Sequence, residues 1–68
     1  MSKFATRLKE LRESKKLNQY ELAEKLNISQ SAITKWERDA TVPTADNIIL
    51  IAKFFNVTSD YLLGLTDY

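Results

Sequence analysis

The side chains best suited to chemistry in this sequence are Gln30, Ser31, Thr34 and Lys35, which fall on the outer side of one predicted helix. An amide, two hydroxyls and an ammonium group supply hydrogen-bond donors and acceptors, but they include no general base. Taken by themselves, these residues indicate either hydrogen-bonding recognition of a partner or an ordinary solvated helix face.

Catalytic and metal-binding chemistry is poorly supplied in this chain. The sequence has no histidine and no cysteine, which removes the commonest catalytic base and the thiolate and imidazole metal ligands. A single glycine also leaves no glycine-rich loop to bind a phosphate group. Without these groups, the nine carboxylates cannot be assembled into a recognisable catalytic site. We therefore expect no enzyme activity, no cofactor, no metal and no small-molecule ligand.

The charge is divided unevenly along the 68 residues. Residues 1–38 carry nine Lys or Arg and five Asp or Glu, a balance of +4, whereas residues 39–68 carry one Lys and four Asp, a balance of −3. The sum is the net charge of +1. This asymmetry indicates a basic face for a polyanion and a second surface with another role, although charged faces are often only solvated.

Apolar residues at helical spacing predict five short helices and an all-α fold of one compact domain, residues 1–68. The first is expected from about Lys3 to Lys16. The others are expected to begin at the capping residues Asn18, Ser29, Thr44 and Thr58 or Ser59. Asn18 with Glu21 resembles a capping box, and Asn27 suits the left-handed end of the second helix.

Only Asn27, Ile28 and Ser29 join the second and third predicted helices. So short a turn favours two helices that cross at a steep angle, as in a helix-turn-helix. The small Ala23 suits the point of closest approach, and Ile28 is expected to point into the angle between the helices. The predicted helix-turn-helix covers residues 19–38.

The stretch from Leu17 to Glu37, LNQYELAEKLNISQSAITKWE, resembles the helix-turn-helix of the lambda-repressor/Cro family, also called the XRE family. Val42-Pro43 and the later segment NVTSDYLLG, residues 56–64, agree with the same pattern, so the resemblance covers nearly the whole chain. It implies a five-helix lambda-repressor-like fold with the third helix as recognition helix. It also implies a phage or prokaryotic transcription regulator, most often a repressor, that binds double-stranded DNA as a homodimer on an inverted repeat.

The resemblance also implies roles for individual residues. Gln30, Ser31 and Lys35 match the main base-contacting positions, and Thr34 lies where it would meet a thymine methyl group or a phosphate. The implied phosphate contacts start with Gln19 at the beginning of the second helix, where backbone N–H groups are also free. The full phosphate-contacting set is Gln19, Asn18, Arg38, Tyr20 and Lys16.

Two positions depart from the family pattern. Asn27 stands where the turn usually has glycine, and Asn can adopt the backbone angles that the turn requires. Asp39 and Ala40 stand where the family often has glycine followed by a basic residue, and the charge of Asp39 is mildly repulsive near the DNA phosphates. This charge weighs against one expected contact with the sugar-phosphate backbone of DNA.

Arg12 and Glu37 match a partly buried ion pair of the family, which holds the first helix against the third. We expect this pair to be structural. Trp36 is expected in the core between the first and fourth helices, and not as a platform for stacking bases.

The acidic second half is expected to face away from DNA. Residues 48–51 are four successive large aliphatics, and a helix cannot bury all of them against one small core. An exposed apolar patch within residues 45–68, including Leu50, Phe54, Leu63 and Leu65, predicts a dimerisation surface.

One alternative function is a protein-interaction module of the same fold, such as an antitoxin or adaptor. The outer face of the third helix argues against it, because it offers hydrogen-bonding groups and no acid. The longest apolar run, Ile48 to Ala52, is too short to cross a membrane, and a cytoplasmic location is expected.

Overall fold

A computed structural model describes residues 2–68 and contains five α-helices in that range, with no strand. Their bounds are α1 Lys3–Ser14, α2 Gln19–Leu26, α3 Gln30–Glu37, α4 Ala45–Phe55 and α5 Ser59–Leu63. The predicted all-α five-helix fold is confirmed. No helix in this range is long and apolar enough to span a bilayer.

Each helix begins at a residue whose side-chain oxygen accepts a backbone N–H from three positions later. Such a cap satisfies one of the free N–H groups of the first turn and is worth about 1 kcal/mol. In α2, the Glu21 carboxylate also accepts the backbone N–H of Asn18, which completes the predicted capping box. The five capping residues are Ser2, Asn18, Ser29, Thr44 and Thr58.

The end of α1 differs from the prediction, because the helix stops at Ser14 and not near Lys16. Lys16 has a left-handed backbone with φ of 58°. The Arg12 carbonyl accepts the N–H of Leu17 at 3.3 Å, and the Arg12 guanidinium donates to the Leu17 carbonyl at 2.8 Å. These two bonds turn the chain toward α2 before the helix can continue.

The core receives one fully buried aliphatic side chain from every helix: Leu8, Leu22, Ile33, Ile51 and Leu62. Burying such a side chain contributes about 1.5–3 kcal/mol, so no helix can leave the bundle without a large loss. As expected, Trp36 is buried, and its ring meets Phe4 edge to face at 6.5 Å between centroids.

The turn between α2 and α3 has the geometry that the sequence predicts. Asn27 is left-handed, with φ of 56°, and ends α2. The Ile28 N–H donates to the Ala23 carbonyl at 3.0 Å, and the Ile28 side chain is half-buried against the core. Ala23 is buried, and its small side chain leaves room for α3 to pack closely on α2.

Arg7 joins α1 to the last residues of the chain, a contact that the sequence analysis missed. Its guanidinium donates to the carbonyls of Tyr61 and Thr66 and lies 4.1 Å from the centre of the Tyr61 ring. It also lies 3.5 Å from the exposed carboxylate of Asp67. The segment after α5 also passes close to the start of α1 at Gly64. A Cβ at this position would lie only 2.6 Å from Cβ of Lys3, so a glycine is needed there.

Replacing Arg7 with methionine should lower the free energy of unfolding by about 1.5–3 kcal/mol. The reason is the loss of charge-assisted hydrogen bonds to two carbonyl groups. Asp67→Asn is the matched control, because Asp67 is 94% exposed and should change stability very little. Urea denaturation measures both variants, and equal midpoints would contradict the role assigned to Arg7.

Candidate nucleic-acid interface

An ion pair with two hydrogen bonds, between Arg12 and Glu37, connects α1 to the end of α3. Arg12 Nε lies 2.7 Å from Glu37 Oε2, and Arg12 Nη2 lies 3.0 Å from Glu37 Oε1. Glu37 is 5% exposed, and it is the one buried polar or charged side chain within residues 2–68. The hydrogen bond to Glu37 raises the pKa of Arg12, so the guanidinium stays charged. The structure thus brings together the two residues expected to pair.

Gln19 and Thr34 extend this ion pair into a four-residue network. Gln19 Nε2 donates to Glu37 Oε1 at 3.1 Å, and Thr34 Oγ1 donates to Gln19 Oε1 at 2.7 Å. Because a carboxylate only accepts hydrogen bonds, the amide nitrogen of Gln19 must face Glu37. The amide oxygen of Gln19 therefore faces Thr34. The Arg12–Glu37–Gln19–Thr34 network therefore fixes the start of α2 against α3.

This network bears on two of the site residues. Gln19 was expected to contact a phosphate, and within the protein it uses its amide oxygen and one of the two N–H groups of its amide nitrogen. Thr34 was expected to face DNA, yet its side chain is half-buried and its hydroxyl points to Gln19. Neither the Thr34–Gln19 bond nor the Gln19–Glu37 bond was predicted from the sequence, because their partners lie 15 and 18 positions apart along the chain.

The outer face of α3 carries the other three base-contacting candidates. Gln30, Ser31 and Lys35 are all exposed, with Ser31 and Lys35 one turn apart. The opposite face of the helix is buried in the core. Since Glu37 is the only acid in α3 and is buried, the exposed face presents only neutral polar groups and a cation. This face can donate and accept hydrogen bonds without repelling an anion.

The phosphate-contacting candidates lie near the two ends of the network. Lys16 is exposed in the turn before α2, and Asn18 uses its side-chain oxygen to accept the Glu21 N–H at 2.7 Å. Tyr20 is 57% exposed and donates to Glu24 at 3.1 Å, a bond that raises the pKa of the Tyr20 hydroxyl. Arg38 is exposed and caps the end of α3.

Asp39 has a structural partner that the sequence did not reveal. Its carboxylate accepts the backbone N–H of Ser2 at 2.8 Å, which connects the start of α1 to the end of α3. Hydrogen bonds from Ser2 lower the pKa of Asp39. The larger effect comes from the Ser2 side chain and the smaller one from its backbone N–H. The departure from the family pattern at this position therefore has a role within the fold.

Comparison with known proteins places these features in a family. The profile of the family described as Helix-turn-helix matches residues 8–62. The chain is 44% identical over 61 residues to the HTH-type transcriptional activator BcrR of Enterococcus faecalis. It is 43% identical over 58 residues to the HTH-type transcriptional regulator ImmR of Bacillus subtilis. The matches cover 90% and 85% of this chain but only 30% and 46% of those proteins.

The fold is also similar to a solved repressor structure. A crystal structure of the P22 c2 repressor protein in complex with a synthetic operator superposes with a TM-score of 0.84 and 31% identity. The superposition covers 90% of this chain and 92% of that chain. A solution structure of the DNA-binding domain of the same repressor gives a TM-score of 0.78 at 30% identity.

Replacing Glu37 with alanine should lower the free energy of unfolding by about 3–5 kcal/mol, because the Arg12 charge would remain buried without its partner. For a domain of this size, the melting temperature should fall by about 10 °C or more. Glu10→Ala, an exposed acid on α1, is the control. A melting temperature equal to that of the wild type would contradict the prediction.

The Asp39 contact predicts a pH-dependent contribution to stability. Because folding lowers the pKa of Asp39, the contribution is present above the ordinary carboxyl pKa and is lost as the pH falls through the lowered value. Wild type should therefore be more stable than Asp39→Asn at neutral pH, and the difference should vanish in acid. Denaturation over a pH series tests this, and a pH-independent difference would contradict it.

Proposed function

The chain belongs to the XRE-type helix-turn-helix family, and on this premise we propose that it is a transcription regulator that binds double-stranded DNA sequence-specifically. The single observation that carries this proposal is the exposed, acid-free face of α3, held at a fixed angle to α1 and α2 by the Arg12–Glu37–Gln19–Thr34 network. An α-helix presented in this way fits the major groove of B-DNA.

Base recognition is assigned to Gln30, Ser31 and Lys35. A glutamine amide pairs with adenine through two hydrogen bonds, a lysine ammonium donates to the acceptors of guanine, and serine bonds to several bases. Thr34 joins this set through its methyl group, since its hydroxyl is bonded to Gln19. In the free protein, the main role of Thr34 is therefore to position Gln19 and α3.

Phosphate contacts supply affinity without sequence preference. The exposed Lys16 and Arg38 provide charge beside α2 and α3, and Asn18 and Tyr20 are polar groups at the start of α2. Gln19 reaches a phosphate through its backbone N–H at the helix start and through the side-chain N–H that does not donate to Glu37. Binding should weaken steeply as salt rises, as counterion release requires.

The second half of the chain is assigned to dimerisation. Ile49 and Leu50 on α4 and Leu63 and Leu65 around α5 are exposed apolar side chains within residues 45–68. The same part of the chain contains a cavity of about 420 Å³, which is lined by Asn56, Val57, Thr58, Tyr61 and Tyr68. Two copies that cover these faces symmetrically would present two α3 helices to an inverted repeat.

The regulatory output proposed is repression in the cytoplasm, by occupancy of an operator that overlaps a promoter. The proteins that this chain resembles include both an activator, BcrR, and a repressor, protein C2 of Salmonella phage P22. The chain spans between 30% and 57% of the length of BcrR, ImmR and the Bacillus subtilis regulator YobD.

Selection of bound duplexes from a randomised DNA pool tests the function, with wild type and Gln30→Ala side by side. The expected result is an enriched inverted repeat whose sequence changes with the Gln30 substitution. A folded sample that enriches no sequence would contradict the proposal and favour a protein-interaction module, such as an antitoxin or adaptor.

On the selected operator, Gln30→Ala and Lys35→Ala should each weaken binding by about 1–3 kcal/mol, and by less on random DNA. The reason is that base-edge contacts exist only at the cognate site. Lys9→Ala, an exposed cation on α1, is the control for charge alone. Fluorescence anisotropy measures all three variants, and equal losses on both DNAs would show that these side chains do not contact bases.

A further inference from the structure

A groove on the side of the bundle joins the end of α1, α2 and the end of α4. It is lined by Lys15, Leu17, Lys25 and Phe54 and has a volume of about 360 Å³, and we call it the Lys15–Phe54 groove. Leu17 and Phe54 are half-buried apolar side chains, while both lysines are exposed. None of these four residues is among the proposed DNA-contacting residues. Their side chains lie outside the Arg12–Glu37–Gln19–Thr34 network, which meets only the backbone carbonyl of Leu17.

The groove lies away from the DNA-contacting face of α2. Lys25 follows Gln19 by six positions, so at 100° per residue the two side chains point about 120° apart around the helix. Gln19 faces Glu37 and Thr34, next to α3. Lys25 therefore adds positive charge on a side of α2 that does not face α3.

The charge of the groove is not neutralised within the protein. No acidic residue lines it, and neither lysine forms an ion pair in the part of the chain that the structure describes. The Lys15 ammonium lies 5.6 Å from the centre of the Phe54 ring, and Phe54 also packs edge to face on Phe55. The result is an apolar floor with two cations at its rim.

We propose that the Lys15–Phe54 groove is a docking site for a short acidic segment of a partner protein. One apolar side chain of the segment enters between Leu17 and Phe54, and flanking carboxylates pair with Lys15 and Lys25. The charge complementarity selects the acidic residues, and burial of apolar surface supplies most of the affinity. A cavity of this size lies near the lower end of the range for ligand sites, about 300–1,000 Å³.

Two other occupants fit less well. A nucleic-acid base would need the open face of an aromatic ring, but Lys15 covers the face of Phe54. A second copy of this chain would have to offer a different surface to the groove, such as the exposed Leu65 and Asp67. Such a contact would be head-to-tail, which does not close into a two-fold dimer.

The test uses isotope-labelled protein and a short synthetic peptide that alternates aspartate with leucine and phenylalanine. Titration should shift the NMR signals of Lys15, Leu17, Lys25 and Phe54 and leave those of Gln30 and Lys35 unchanged. The comparison probes are the same peptide with asparagine for aspartate and a short single-stranded oligonucleotide. Neither should shift the groove signals at the same concentration.

The variant for the test is Lys15→Glu/Lys25→Glu, which should weaken peptide binding about tenfold or more by reversing the charge at the rim. Lys9→Glu is the matched control on another face of α1, and circular dichroism confirms that both variants are folded. Shifts confined to α3, equal binding of the asparagine peptide, preference for the oligonucleotide, or no effect of the double variant would each overturn the proposal.

Discussion

The buried carboxylate of Glu37 is the constraint on which the rest of the structure depends. A charge that is only 5% exposed is very costly without a partner, so Glu37 can be buried only where Arg12 and Gln19 meet it. Arg12 in turn holds the Leu17 carbonyl, and Gln19 holds Thr34. One buried acid therefore determines the end of α1, the start of α2 and the orientation of α3. The angle of α3 to the two preceding helices follows from those contacts.

The two ends of the chain are attached to this arrangement by separate contacts. Asp39 connects the start of α1 to the end of α3 through Ser2, and Arg7 holds the residues that follow α5. Both contacts use charged groups that a count of surface charge would assign to solvent. Because they bond to backbone groups, they fix the position of whole segments and not only of side chains. Helix α3 and the exposed apolar side chains of α4 and α5 are thereby held in one folded unit.

Local sequence patterns predict those features of the fold that depend on residues close together along the chain. The five-helix pattern and the Asn18–Glu21 capping box follow from residues within one or two helical turns, so periodicity and capping rules predict them correctly. The resemblance implied a pairing of Arg12 with Glu37 but no link from Gln19 to Thr34. The early end of α1 was also missed, because it is caused by the bonds of Arg12 to Leu17 and not by any helix-breaking residue.

The sequence by itself determined the number of helices, the capped starts of α2, α3 and α4, the short turn between α2 and α3, and the polar composition of the outer face of α3. These properties depend on interactions between residues that are close along the chain. Only the tertiary structure decided which polar groups are bonded inside the protein and which remain free for a partner. The deciding contacts join residues 15 to 59 positions apart, as Thr34 with Gln19 and Arg7 with Thr66 show. Spacing along the chain carries no information about such pairs, because they form only after the helices pack.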